Sequence, residues 1–307
     1  MESYKKRLII RELCSRNNRT FAILGSGVVS HIATKLLKDT IVLTKKRTDI
    51  FLDNVFFHDT IENRLMLLLF DIEYTSKDIP VTYFNNLTNE FTSNVTDAIR
   101  FQIAKEKMGD TSKPIVLSTM TEDKPSFTNL LFNEQLLKKE LLRNTDSVEI
   151  FPDHIIEKED CVVLYFDDKF IKVDYLINTI PQPFFNPLLH DNHKEFKYNP
   201  LVFVTHKVED LIEDKMVYSY NNCFWKRIFV KNGIECIEFN QEDWDEGKFK
   251  KEFHFINEYK ITTVPYGRIQ SVDVPDTKRI IHIGRFAQWQ HSITTEHVIN
   301  KLINLKK

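Results

Sequence analysis

The sequence is short of glycine, poor in cysteine and almost without net charge. Each shortage removes a class of function. Only 7 of its 307 residues are glycine, too few for a collagen-like repeat or a glycine-rich linker. Its four cysteines, Cys14, Cys161, Cys223 and Cys236, form no CxxC pair and share no metal-ligand spacing with histidine. No metal site is therefore expected. The formal net charge is −2, so no global field draws the chain to nucleic acid or to a membrane surface. Apolar runs such as Leu65 to Phe70 are far too short to cross a bilayer. No apolar leader stands near Met1, and a cytoplasmic protein is expected. GxSxG, HExxH and P-loop patterns are absent, which removes those hydrolase, metalloprotease and NTPase readings.

What is present reads as a globular chain, 42% apolar and 28% charged. It is long enough for one large domain or two interleaved ones. Residues 1–19 mix Lys and Arg with Leu and Ile, as a helix packed on one side does. Thr20 to Leu24 reads as a buried strand. Val29, Ile32, Ala33, Leu36 and Leu37 recur at helical spacing, and Ile41 to Leu43 reads as a second strand. Together they make a βαβ unit. Ile61 to Phe70 suits strand or helix, while Phe91 to Met108 and Asn129 to Leu142 predict helices. From Ser147 onward strands dominate. Val148 to Phe151 is one, and Cys161 to Phe166 with Phe170 to Val173 predicts a hairpin. Leu176 to Ile180 is a further buried run. Leu201 to His206, Val217 to Tyr220, Arg227 to Val230 and Cys236 to Phe239 predict an antiparallel set. A polar helix is expected within Trp244 to Phe255. A strand at Arg279 to Ile283 and a helix at Thr294 to Leu305 close the chain.

Two stretches carry chemistry. Gly25-Ser26-Gly27-Val28-Val29-Ser30 follows a strand and opens a helix. The first Gly permits a tight turn, the second lets a pyrophosphate approach the backbone, and a small Ser30 permits close helix–strand packing. An ordinary strand–turn–helix is the alternative. The adenosine-binding version of this unit ends its second strand in an acid. Here Thr44 stands there, followed by Lys45, Lys46 and Arg47. Those cations suit either the 2′-phosphate of NADP or a solvated loop. The second stretch, Ile280 to Ile299, runs from a strand through Gly284-Arg285 toward a helix. Its unpaired amides and Arg285 suit a group that becomes anionic; a surface Arg285 and a core Trp289 are the plainer alternative. Tyr266 lies in Val264-Pro265-Tyr266-Gly267-Arg268, which reads as a turn with a solvent-facing Tyr and Arg. Trp225, Lys226 and Arg227 begin a strand that lines a pocket or simply packs.

Taken with the Leu176-Ile177-Asn178-Thr179-Ile180-Pro181 segment, the order of these motifs resembles a known family. It is similar to the FAD-binding flavoproteins typified by amine oxidases, protoporphyrinogen oxidase and UDP-galactopyranose mutase. The likeness covers both ends and the middle; residues 50–145 do not visibly match. It implies an α/β fold with a Rossmann-like FAD/NAD(P)-binding domain assembled from residues 1–75, 145–190 and 262–307. A second α+β substrate domain, with an antiparallel sheet, would come from 76–144 and 191–261. It implies FAD as cofactor, with Gly25, Ser26, Gly27, Ser30 and Thr44 at the nucleotide. Gly284, Arg285, Phe286 and Trp289 would lie by the isoalloxazine, and Tyr266 and Arg285 are the catalytic candidates. The implied function is oxidation of a small organic substrate, with a reduced-flavin mutase or an inactive nucleotide-binding protein as alternatives.

Overall fold

The structure, a computed structural model, describes residues 19–45, 56–108, 126–143, 147–189, 195–208, 213–290 and 293–305. The helix expected in residues 1–19, together with Cys14, Lys46 and Arg47, lies outside the described residues.

Two sheets organise the chain. The first is built around β1 (Arg19–Leu24), whose Ala22, Ile23 and Leu24 are all buried. Burial on both faces is what a parallel strand under covering layers requires. β1 pairs in parallel with β2 (Thr40–Leu43) on one side and with β9 (Lys169–Asn178) on the other. β6 (Ser147–Val148) extends the sheet beyond β2. The first half of β9 forms a hairpin with β8 (Val162–Phe166), which in turn carries β7 (His154–Glu157). Its second half pairs in parallel with β15 (Ile280–His282). The separate strand expected from Leu176 is thus a continuation of the hairpin. Asp174 and Tyr175 do not interrupt it, because β1 runs alongside from Val173 to Asn178.

Helices α1 (Val28–Leu36), α2 (Ile61–Leu69), α4 (Glu134–Arg143) and α8 (Thr295–Leu305) cover one face of this sheet. Ile32, Leu67, Leu137 and Leu302 meet Ile23, Val42 and Ile177 there. α2 resolves the strand-or-helix alternative at Ile61. Thr60 caps it, its hydroxyl accepting from the Asn63 amide at 3.2 Å, and such a cap stabilises a helix by about 1 kcal/mol. On the opposite face Ala22, Leu24 and Ile41 pack with Phe166 and with Phe185 of α5 (Gln182–Phe185).

The second sheet has the order β14 (Lys260–Ile269), β10 (Tyr198–Lys207), β13 (Ile234–Asn240), β12 (Arg227–Lys231), β11 (Lys215–Tyr220), β3 (Tyr74–Asn85), β4 (Glu90–Thr92). β5 (Ser126–Phe132) pairs with the first half of β3. The expected antiparallel set is its centre. Four strands, β3, β4, β5 and β14, join it unannounced by the sequence. β3 has only Ile79 and Val81 buried and carries Ser76, Lys77 and Asp78 outward, so it lacks an apolar signature. The helix expected over Asn129 to Leu142 begins only at Glu134, because Phe127 to Phe132 pair with Tyr74 to Ile79. The helix expected from Phe91 likewise starts at Asp97 as α3 (Asp97–Met108), after β4. β14, within the segment 262–307, is hydrogen-bonded to β10 of this second sheet.

One face of the second sheet packs Val202, Val204, Ile237 and Phe239 against Phe249 of α6 (Glu246–Glu252) and Phe253. The other face carries Met216, Phe229 and Cys236; by strand alternation it also carries Arg227 and Glu238. Among the described residues, no helix is long and apolar enough to cross a membrane, and no group of His, Cys, Asp and Glu is placed to hold a metal.

Gly267 shows how tightly β14 lies on β10. A β-carbon there would meet the Leu201 side chain, with Leu201 Cβ at 2.8 Å, beside the register shift between Asn199 and Leu201. Gly267→Ala is expected to destabilise the fold by about 1–3 kcal/mol through overpacking. Urea denaturation checks this; an unchanged midpoint would mean that the bulge yields freely.

Candidate functional site

The parallel strands of the first sheet end at one level. Leu24 lies opposite Leu43 and Asn178, and Asn178 opposite His282. The residues that follow, Gly25, Thr44, Thr179 and Gly284, therefore gather on a single carboxyl edge, where such sheets form their ligand crevice. Gly25 has φ +112, and a β-carbon on it would sit 2.6 Å from Thr179 Oγ1. Thr179 cannot move aside easily, since its hydroxyl and its amide both donate to the Leu24 carbonyl, at 2.6 and 3.1 Å. Only glycine fits that turn.

Gly27 differs. It is exposed, its added β-carbon would meet nothing within 4 Å, and it caps α1 with no side-chain hydrogen bond. The notch beside the first turn of α1 is one that a side chain would fill. Ser30 is buried, and its hydroxyl donates to the Gly27 carbonyl at 2.6 Å; its small size serves packing. Thr44 is only 4% exposed. Its hydroxyl donates to Ser26 Oγ at 3.3 Å and its amide to the Val148 carbonyl at 3.1 Å, which ties the end of β2 to the glycine turn. The Lys45 ammonium lies 5.3 Å from the centre of the Phe151 ring.

The late turn meets the early one. Gly284 has φ +97 and caps α7 (Arg285–Gln288); a β-carbon there would come within 3.2 Å of Val29 Cγ2 in α1. Beneath it lies a buried polar group that the sequence reading passed over. Asn178 Nδ2 and Gln182 Nε2 both reach His282 Nδ1 at 3.1 Å, and Gln182 also donates to the Ala287 carbonyl. The available signal was a polar residue closing each of two apolar parallel strands. Trp289 is fully buried at φ 49, with its indole nitrogen unpartnered. Tyr266 stands 5.8 Å from Trp289, 6.2 Å from Phe286, 5.9 Å from Phe184 and 4.7 Å from Tyr198, centre to centre. The structure thus brings Tyr266, Phe286 and Trp289 into one aromatic cluster that joins β14 to α7.

No protein-family model and no curated protein sequence matches the chain. Solved structures do. Cyclohexylamine oxidase from Brevibacterium oxydans superposes with a TM-score of 0.66 at 9% identity, over 94% of this chain and 98% of that one. p-Nitrophenol 4-monooxygenase from Pseudomonas putida gives 0.58 at 14% identity, over 94% and 80%. A variant of the halogenase PltM in complex with FAD gives 0.58 at 12% identity, over 94% and 69%. The chain shares the fold of these three enzymes.

The face of the second sheet turned away from α6 carries a buried cluster of charge. Glu238, 0% exposed, accepts from Arg227 Nη2 at 2.6 Å and from Arg268 Nη2. The Lys107 ammonium lies 4.6 Å from the centre of the Tyr218 ring, on the strand next to Arg227. Of the three residues read as a possible pocket wall, Trp225 stacks on Phe84 in the core. Lys226 bonds the Cys223 carbonyl and pairs with Asp243. Arg227 alone joins this cluster. Burial by itself would raise the Glu238 carboxyl; Arg227, Arg268 and Lys107 instead hold it down at about 2. A carboxyl depressed in the folded state stabilises at pH above its ordinary value of 4.5, and that contribution is lost as pH falls toward 2. Glu238→Gln should therefore cost about 3 kcal/mol at neutral pH, by leaving buried cations uncompensated, and should flatten the acid limb of stability. Urea titrations from neutral to acid pH check both; a variant as acid-sensitive as the parent would assign that limb to another group.

Proposed function

We propose that the protein binds FAD along the carboxyl edge of the first sheet and acts as a flavin-dependent oxidoreductase on a small organic substrate. The observation that carries this reading is the approach of Gly284 to Val29, close enough that a β-carbon on Gly284 would lie 3.2 Å from Val29 Cγ2. It sets two glycine turns, far apart in sequence, side by side, as an extended dinucleotide with a reactive far end requires.

The residues fit such a group. The open notch at Gly27 and the uncapped start of α1 suit a pyrophosphate. Gly284 and Phe286 suit the flat ring system beyond it, with Trp289 packed behind them in the core. When bound, FAD supplies two-electron acceptance. This chain's contribution is to position the ring and the substrate, to exclude water with Tyr266, Phe286 and Trp289, and to offer the positive charge of Arg285. At the ribose end the fit is looser, since Thr44 offers a hydroxyl already engaged with Ser26 in place of a carboxylate. Loss of one charged hydrogen bond costs about 1.5–3 kcal/mol, roughly 10- to 150-fold in affinity, so FAD binding should be modest and reversible. The alternative of NADP through the cations after β2 draws no support from Lys45, which is exposed and lies over Phe151.

Calorimetric titration with FAD tests the reading. Wild-type protein should bind, and Gly27→Val should weaken binding by at least about tenfold while keeping its melting temperature, because a β-carbon there has no protein atom within 4 Å. No FAD binding by the wild type at high micromolar concentration, or normal binding by a folded Gly27→Val, would sink it. Anaerobic bleaching of the flavin absorbance by a substrate then separates an oxidase from an inactive binder.

A further inference from the structure

The cations on the inner face of the second sheet exceed what folding requires. Lys107, Arg227 and Arg268 surround one carboxylate, Glu238, and Arg285 adjoins these cations. Five elements bring them together. Arg227 and Glu238 lie directly opposite each other on β12 and β13. α3 delivers Lys107 onto Tyr218 of the adjoining β11. Tyr266, two residues before Arg268, touches Phe286, the neighbour of Arg285. Glu238 uses both of its oxygens on Arg227 and Arg268. Lys107 and Arg285 form no salt bridge among the described residues, and the Nε atoms of Arg227 and Arg268 are buried without a hydrogen-bond partner. The carboxylate is sealed, whereas the Arg227 side chain is 21% exposed; the positive side of the cluster is the side that opens.

We propose that this face binds an oxyanion of the substrate, a carboxylate or a phosphate, between Lys107, Arg227, Arg268 and Arg285, next to the aromatic cluster around Tyr266. Four basic side chains gather where one carboxylate stands, itself engaged by two of them, so positive charge is in excess in a partly desolvated place. That arrangement opposes folding and favours an incoming anion. Guanidinium forks match carboxylate and phosphate geometry. The unliganded protein bears the strain. Burial, then Arg268 and Arg227, push the Arg285 guanidinium down to about 10, and burial with the same cations holds Lys107 well below the usual lysine range. Naming this a substrate site rests on the flavin reading; the anion site itself is measured without the flavin.

Titration of the purified protein with inorganic phosphate and, separately, benzoate tests the proposal, in low salt and with FAD binding measured on the same samples. At least one probe should bind saturably, and which one does assigns phosphoryl or carboxylate chemistry. Arg285→Met and Lys107→Met should each weaken that binding at least tenfold. Because each removes an unpaired cation, each should also leave the ligand-free melting temperature equal or higher, which a purely structural role would not do. Absence of saturable binding of both probes to the wild type overturns the proposal. So does a fall in melting temperature with probe binding unchanged. FAD binding without probe binding sinks the anion site alone; probe binding without FAD binding sinks the flavin reading and leaves the anion site standing.

Discussion

Everything at the crevice depends on strand register. β1, β2, β9 and β15 are parallel, and their last paired residues fall at one level. A side-chain period of two allows no drift: a slip of one residue would turn Ile23 and Ile177 away from their core. That core, with Ile32, Leu67 and Leu302 pressing from the helices, fixes the register. The glycine turn, Thr44, Thr179 and the late Gly284 turn then have no choice but to meet. The chemistry-bearing groups are loop residues, yet their positions are set by buried aliphatics on strands.

The two sheets solve opposite problems. The first buries both faces and holds few polar groups there: Asn178 and Gln182 both reach His282 and Gln182 reaches the Ala287 carbonyl, while Gln182 Oε1 is left without a partner. The second buries one face against α6 and leaves the other for charge and aromatic rings. A buried ion cluster is a poor source of stability compared with packed hydrocarbon. Its presence beside an aromatic wall is better understood as a cost carried for recognition, with β10 to β13 supplying the stability that makes the cost bearable.

Much of the first sheet was legible. The run Phe21 to Leu24, the glycine turn and the helical spacing of Ile32 and Ala33 each announce themselves, because burial on both faces leaves a continuous apolar signature. The two glycine turns could be singled out, though not that Val29 would touch Gly284. The second sheet was half legible. Its central strands alternate cleanly, but β3 and β14 are held chiefly by backbone pairing and carry polar side chains outward. Leucines over 130–142 have helical spacing and still divide between a strand and a helix, since Asn133 caps the helix and ends the strand. The cation cluster was not legible. Lys107, Arg227, Glu238 and Arg268 sit on four separate elements, and only the fold makes them neighbours.

The divided pairing of β9 has a consequence for how the chain comes to be folded. One strand serves β8 by its first half, β15 by its second and β1 from Val173 to Asn178. While the polypeptide is being made, β1, β8 and β9 can associate as soon as residue 178 has emerged. The second half of β9 must then wait, one edge open, for a partner about a hundred residues later. Pairings of such long sequence separation form late, and an unpaired apolar edge invites association with other chains. Leu176 and Ile177 are the residues left waiting. Strands β10 to β14 of the second sheet are synthesised in that interval, so the first sheet is completed only after the second has all its strands.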